Sequence, residues 1–295
     1  GPSSLVDFNR SGVPLLEIVS MPDITGTEEA AAYLRELRQI LMYLGICDGN
    51  MEEGSFRCDA NVSVKPAGSQ VYGVRTEIKN MNSFRNIQKA LEFEIDRHVA
   101  ILESGGAVEQ ETRLWNASLG RTEPMRSKEE SHDYRYFPDP DLAPVEVDDV
   151  WIGHVRDALP ELPSRVRQRL VGRYGLPAYD AGVLTQTREL AEYFEECVRS
   201  LDAPKEISNW IMTEVLRVLS EQRIPITDFS VSPAGLAGLI GLIRQGLISG
   251  MKAKEVFSEM VSSGRSAAEI VKERGISQLS DVEELTGIAR GIIER

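Results

Sequence analysis

From Phe56 to Lys65 the chain reads FRCDANVSVK, and apolar and polar side chains alternate without a break. Successive side chains of a strand point to opposite faces. The stretch therefore reads as a strand with a dry face of Phe56, Cys58, Ala60, Val62 and Val64. Its other face carries Arg57, Asp59, Asn61, Ser63 and Lys65. A second alternating run, VYGVRTEIKN from Val71 to Asn80, follows Pro66-Ala67-Gly68-Ser69-Gln70, a composition suited to a turn. The pattern predicts a hairpin. Paired symmetrically about Gly68, it places Asp59 opposite Glu77, Asn61 opposite Arg75 and Arg57 opposite Lys79. The dry face then pairs Cys58 with Ile78, Val62 with Val74 and Val64 with Tyr72.

Two carboxylates directly opposite each other destabilise a bare sheet. A divalent cation, or neighbouring Arg and Lys, removes that cost. Ligands that are all oxygen suit Mg²⁺ rather than zinc. Arg57, Arg75 and Lys79 beside the carboxylates could hold phosphates. Such a face suits metal-assisted phosphoryl transfer. The other reading is a solvated, salt-bridged face, and alternation alone favours it.

The rest of the chain narrows the class. With 295 residues, two domains are expected. The net charge of −13 makes non-specific nucleic-acid binding unfavourable, so a nucleic-acid partner needs a local basic patch or a helper subunit. The best patch is Arg165, Arg167, Arg169 and Arg173. Three cysteines without metal spacing argue against a disulfide framework. There is no apolar run of membrane-spanning length. Neither a P-loop nor a dinucleotide-binding glycine motif occurs. His98, His132 and His154 are scattered, and each reads as surface or structural.

A helix is expected over Thr25–Leu44, with Thr25 and Glu28 at capping-box spacing. A second is expected from Ser83 to Gly105, its face formed by Phe84, Ile87, Leu91, Ile95 and Leu102. Further strands are expected at Glu111–Asn116, Arg121–Arg126 and Ala143–Val147. From about Leu159 short helices follow one another, with expected caps at Ser164, Ser232, Ser266 and Ser280. The expected class is α+β, an antiparallel sheet portion followed by an all-helical domain. The expected domains are residues 1–155, 156–275 and 276–295.

Several dense motifs carry a resemblance: VDFNRSGVPLLEIVS (Val6 to Ser20), MEEGSFRCDANVSVKP, TEIKNMNSF, QETRLWN, DYRYFPDPDL and LPAYDAGVLT. In order, and across essentially the whole chain, they resemble the B-subunit family of the aspartyl/glutamyl-tRNA amidotransferases, the GatB family. The resemblance implies a catalytic cradle with a glutamine synthetase-like sheet, then a helical domain, then the start of a helical tail. It implies a carbon–nitrogen ligase with glutamine as amido donor. In that family the side-chain carboxylate of Glu-tRNA(Gln) or Asp-tRNA(Asn) is activated with ATP and Mg²⁺ as an acyl phosphate. Ammonia released by the A subunit then displaces phosphate. The implied partners are the A and C subunits and the misacylated tRNA, in the cytoplasm, with no membrane.

Carried over by motif, Glu17 in PLLEIVS is a metal ligand, with Asn9 and Arg10 shaping the site beside it. Leu15, Leu16, Ile18 and Val19 are expected to crowd Glu17. Asp59 and Glu77 are expected as metal and catalytic residues, with Lys79 beside them as a catalytic residue. Arg57, Asn61 and Arg75 are expected to contact nucleotide or substrate. The family also has a segment ahead of this chain's first residue that supplies further site groups, and its tail extends past Arg295. The isolated chain is therefore expected to lack full activity. Two other readings stand beside this one: a non-catalytic tRNA-binding scaffold, and a stand-alone carboxylate–amine ligase.

Overall fold

The alternating runs survive as two short paired strands rather than one long hairpin. The computed structural model describes Asn9, residues 12–125, Asp141 and residues 143–275. These fall into two units. One contains the described residues up to Glu36 and from Met51 to Met125; the other contains residues 37–50 and those from Asp141 onward. Residues 37–50 thus group with the later helices and not with the sheet that follows them in the chain. The expected tail, residues 276–295, the Ser280 cap and His132 lie outside the described residues.

The first unit is built on four strands: β1 (Ala60–Val62), β2 (Thr76–Lys79), β3 (Glu111–Asn116) and β4 (Arg121–Pro124), adjacent in that order. The class is α+β, but the sheet is mixed rather than antiparallel. β2 and β3 are parallel, because α2 (Phe84–Glu103) carries the chain back between them. The expected strand at Ala143–Val147 does not form: the stretch has no ladder partner among the described residues, and Val145 and Val147 face solvent. β3 and the start of β4 fall where the pattern placed them.

The register differs from symmetry about Gly68. Asn61, not Asp59, lies opposite Glu77, and Ala60 lies opposite Ile78. The shift is two residues, so each side chain keeps its expected face. It replaces an opposed pair of carboxylates with an amide and a carboxylate. The turn closes between Pro66 and Ser69, and a Cβ on Gly73 would run into the Val64 carbonyl oxygen. That close approach needs glycine and marks where the ladder is interrupted.

Within the ladder the dry face behaves as expected: Phe56, Val62 and Ile78 are buried. Past the interruption it does not, and Tyr72 and Val74 are exposed. α2 covers the dry face. Ser83 caps α2 by accepting from Asn86 N–H. The buried stripe of α2 is Ile87, Ala90, Leu91, Glu94 and His98, while Leu102 is exposed. Two ionisable groups therefore occupy a face that periodicity assigned to aliphatics.

α1 (Thr27–Tyr43) begins with Thr25 bonded through both backbone N–H and hydroxyl to Glu29, not Glu28. The helix starts later than expected, which moves the closing carboxylate one residue on.

Beyond the sheet lie α3 (Asp149–Ala158), α4 (Pro163–Tyr174), α5 (Ala178–Leu184), α6 (Arg188–Ser200), α7 (Pro204–Trp210), α8 (Leu216–Gln222), α9 (Pro233–Arg244), α10 (Gly250–Ser263) and α11 (Ala267–Arg274). Helices thus begin at Asp149, ahead of the expected Leu159. α4 is entered through Leu162 with Pro163 in its first turn, so Ser164 is not its cap. Ser232 and Ser266 do cap α9 and α11, with Ser266 and Glu269 forming a reciprocal capping box, and the structure adds a cap at Thr187 for α6.

The helical core is centred on Phe194, Phe257, Leu184, Ile207, Ile211 and Leu236, all fully buried. Each such side chain contributes about 1.5–3 kcal/mol relative to exposure. Trp210 packs edge-on against Phe257 at 5.8 Å between ring centroids, a core role as expected. One π-helical turn, Ile211–Val215, joins α7 to α8 and leaves Glu214 within 2.7 Å of Lys254 and 3.3 Å of Arg217.

Candidate functional site

On the open face of the sheet, three expected residues come together. Lys79 Nζ lies 2.9 Å from Asp59 Oδ2 and 3.1 Å from Glu77 Oε1. Asp59 precedes β1 directly, and Glu77 and Lys79 share a face of β2 because they are two residues apart. Their side chains remain 51%, 33% and 37% exposed for Asp59, Glu77 and Lys79 respectively. The like-charge conflict expected from the sequence is thus resolved by a lysine between the two carboxylates.

A fourth residue joins them. Parallel pairing sets Thr112 of β3 beside Glu77, and the Thr112 hydroxyl donates to Glu77 Oε2 at 2.8 Å. Partial burial pulls the Glu77 carboxyl upward, but Thr112, Lys79 and Arg75 outweigh it and hold the group below its ordinary value. The Asp59 hydrogen bond, helped by Glu77, raises Lys79. At neutral pH Glu77 is therefore a carboxylate and Lys79 an ammonium. The strand pattern put Thr112 on a strand, but only the β2–β3 register reveals its partner.

Of the other expected contacts, Asn61 lies opposite Glu77 in the ladder and Arg75 acts on the Glu77 carboxyl. Arg57 is exposed and donates to the Gly54 carbonyl at 3.1 Å. Asn61 and Arg75 are exposed on the same polar parity. Cys58, on the opposite parity, has its thiol pushed up to about 11 by burial and by Asp59, so it is not a nucleophile at neutral pH.

Glu17 stands differently. Leu15, Leu16, Ile18 and Val19 do not crowd it; this extended segment is exposed, Leu15 at 88%. Among the described residues, no group of three His, Cys, Asp or Glu side chains is arranged to hold a metal ion. Asn9 is exposed, and Arg10 lies outside the described residues.

Of the expected basic patch, one arginine is ion-paired. Arg169 pairs with Glu161 at 2.6 Å and with Glu195. Arg167 donates to Gln39 at 3.2 Å, and Arg173 lies over the Tyr174 ring. Arg165 alone of the four is exposed without such a partner among the described residues. Carboxylates from neighbouring elements, invisible to local sequence, neutralise Arg169.

The opposite face of the same sheet holds a second ionic group. Glu94, fully buried, accepts from Arg97 Nε at 2.6 Å and from the Thr122 hydroxyl at 2.6 Å. Thr76 Oγ1 lies 2.8 Å from His98 Nε2, and Arg113 reaches Thr122 and Glu111, both at 2.8 Å. Burial pushes His98 below its ordinary value, only partly opposed by Glu94. His98 is thus structural, as its isolation in the sequence suggested.

Residues 1–153 match the family model described as the GatB/GatE catalytic domain, and residues 192–295 match the GatB domain. The chain belongs to the GatB family. It is 56% identical over 294 residues to the B subunit of an aspartyl/glutamyl-tRNA(Asn/Gln) amidotransferase from Chlorobium phaeobacteroides, covering all of this chain and 62% of that relative. A protein of the same name from Prosthecochloris aestuarii is 55% identical over 294 residues, with 61% of its length covered. One from Thermodesulfovibrio yellowstonii is 55% identical over 278 residues, 94% of this chain and 58% of the relative. The chain therefore spans about three-fifths of the length of these relatives. Among the described residues, no helix is long and apolar enough to cross a membrane.

Proposed function

We propose that this chain carries part of the amide-forming site of a tRNA-dependent amidotransferase. The observation that carries the reading is the Asp59–Lys79–Glu77 cluster on an open sheet face. The names of the relatives support the same assignment. The proposed substrate is the side-chain carboxylate of Glu-tRNA(Gln) or Asp-tRNA(Asn). Its oxygen attacks the γ-phosphorus of ATP, giving an acyl phosphate and ADP. Ammonia then attacks the acyl carbon, phosphate leaves with the bonding pair, and the nitrogen loses a proton.

Two anions, a carboxylate and a triphosphate, must meet for the first step. Lys79 supplies a cation that screens their approach, and Arg57 and Arg75 supply further positive charge at the rim. Asp59 and Glu77 offer the oxygen donors that Mg²⁺ favours, and would hold it through one or two carboxylates. When bound, the ion would neutralise phosphate charge during transfer. Glu17 is proposed as an additional ligand in the assembled site. ATP, Mg²⁺, the A and C subunits, glutamine as amido donor and a cytoplasmic setting belong to this proposal. So does the expectation that the isolated chain lacks full activity.

The test is tRNA-dependent ADP release by the full-length protein with its A and C partners. Glu77→Gln should abolish release and leave the melting temperature near the parent's. Normal release by this variant would remove the cluster from the reaction.

A further inference from the structure

Glu77 is gripped at both oxygens. Lys79 holds Oε1 at 3.1 Å, and the Thr112 hydroxyl donates to Oε2 at 2.8 Å. A carboxylate held at one oxygen can still rotate; one held at two cannot without breaking a hydrogen bond. Thr112 sits in the parallel ladder directly beside Glu77, and a β-branched residue is stiff at χ1. The position of its hydroxyl oxygen is therefore restricted by the backbone of β3. Lys79, by contrast, is a long flexible side chain shared with Asp59.

We infer that Thr112 is a positioning residue: its hydroxyl holds the Glu77 oxygen that Lys79 does not, and the two grips together fix the orientation of the carboxylate. This rests on the proposed role of Glu77 in the reaction. The sheet contains an internal control. On the opposite face Thr122 donates to Glu94 at 2.6 Å, but there both partners are buried and Glu94 also holds Arg97. The same Thr–Glu contact thus serves stability beneath the sheet and orientation above it.

The experiment uses Thr112→Val, which keeps the shape and removes the hydroxyl, and Thr112→Ser, which restores it. The side-chain carboxyl of Glu77 is titrated by ¹³C NMR in the full-length protein, its signal assigned by its loss in Glu77→Gln. Thr112→Val should titrate at higher pH than the parent, and Thr112→Ser should return toward it. In the assembled complex, Thr112→Val should lower kcat for ADP release about tenfold, the scale of one lost hydrogen bond to a charged, partly exposed group. KM for the tRNA should stay within about twofold, and Thr112→Ser should recover most of the rate. An unmoved Glu77 titration in Thr112→Val overturns the inference, as does a moved titration with unchanged kcat where Glu77→Gln is inactive. A moved titration with full activity in Glu77→Gln overturns the reaction assignment instead, leaving the Thr112 contact supported.

Discussion

The two faces of one small sheet carry ionic clusters of similar composition and opposite circumstance. Above, Asp59, Lys79 and Glu77 are each about one third exposed or more. Beneath, Glu94 and His98 are fully buried, and Arg97, Arg113, Thr76 and Thr122 close around them. Water screens the upper charges and leaves room for another ion or an anionic ligand. The lower charges have lost water and depend on one another. The difference teaches that charge on a strand is not by itself a sign of chemistry. Accessibility of the charge separates a site from a structural network.

The largest effect expected from breaking this contrast is beneath the sheet. Glu94→Ala leaves Arg97 and Arg113 without their buried counter-ion, and should cost about 3–5 kcal/mol in urea unfolding. A loss under about 1 kcal/mol would place Glu94 with the exposed cluster energetically. Next is Glu77→Gln, for which ADP release by the assembled complex should fall at least about a hundredfold with little change in stability.

Acid should also sort the two faces. The folded-state value of His98 is depressed, so its neutral form favours folding. Its contribution is complete above the unfolded value of about 6.5 and is lost as pH falls below it, by at most about 1.4 kcal/mol per pH unit. His98→Gln should flatten that part of the stability–pH curve. Glu94, Arg97 and Glu111 face the ring and help set the slope. Glu77 is also depressed, so its smaller contribution is complete above about 4.3 and is lost as pH falls through its folded value. Stability curves that keep the same slope between about pH 7 and 5 in parent and His98→Gln would contradict the buried neutral histidine.

The smallest effect belongs to the upper pair. Asp59→Asn should change unfolding free energy by no more than about 1 kcal/mol, because both partners are well exposed. A cost comparable to Glu94→Ala would show that the upper cluster is a structural bridge.

Alternation alone assigned Phe56, Val62 and Ile78 to the dry face and Asp59, Glu77 and Lys79 to the wet one, because strand period depends only on backbone geometry. Local caps at Ser232 and Ser266 were equally legible, since each bond spans three residues. The density of motifs from Val6 to Thr185 likewise pointed to the family from residues alone. What the sequence could not determine was which charges meet across distance. The hairpin register shifted by two, a change that preserves every face and is therefore invisible to alternation. The Thr112–Glu77 contact spans 35 residues and exists because α2 returns β3 parallel to β2. Glu94 and His98 entered the core because Thr76, Thr122 and Arg113 from three separate strands, with Arg97 one turn along the same helix, wait there to satisfy them. Side-chain period is a property of the local backbone, whereas ionic partnership is a property of packing; the first was determined by sequence alone, and only the tertiary structure decided the second.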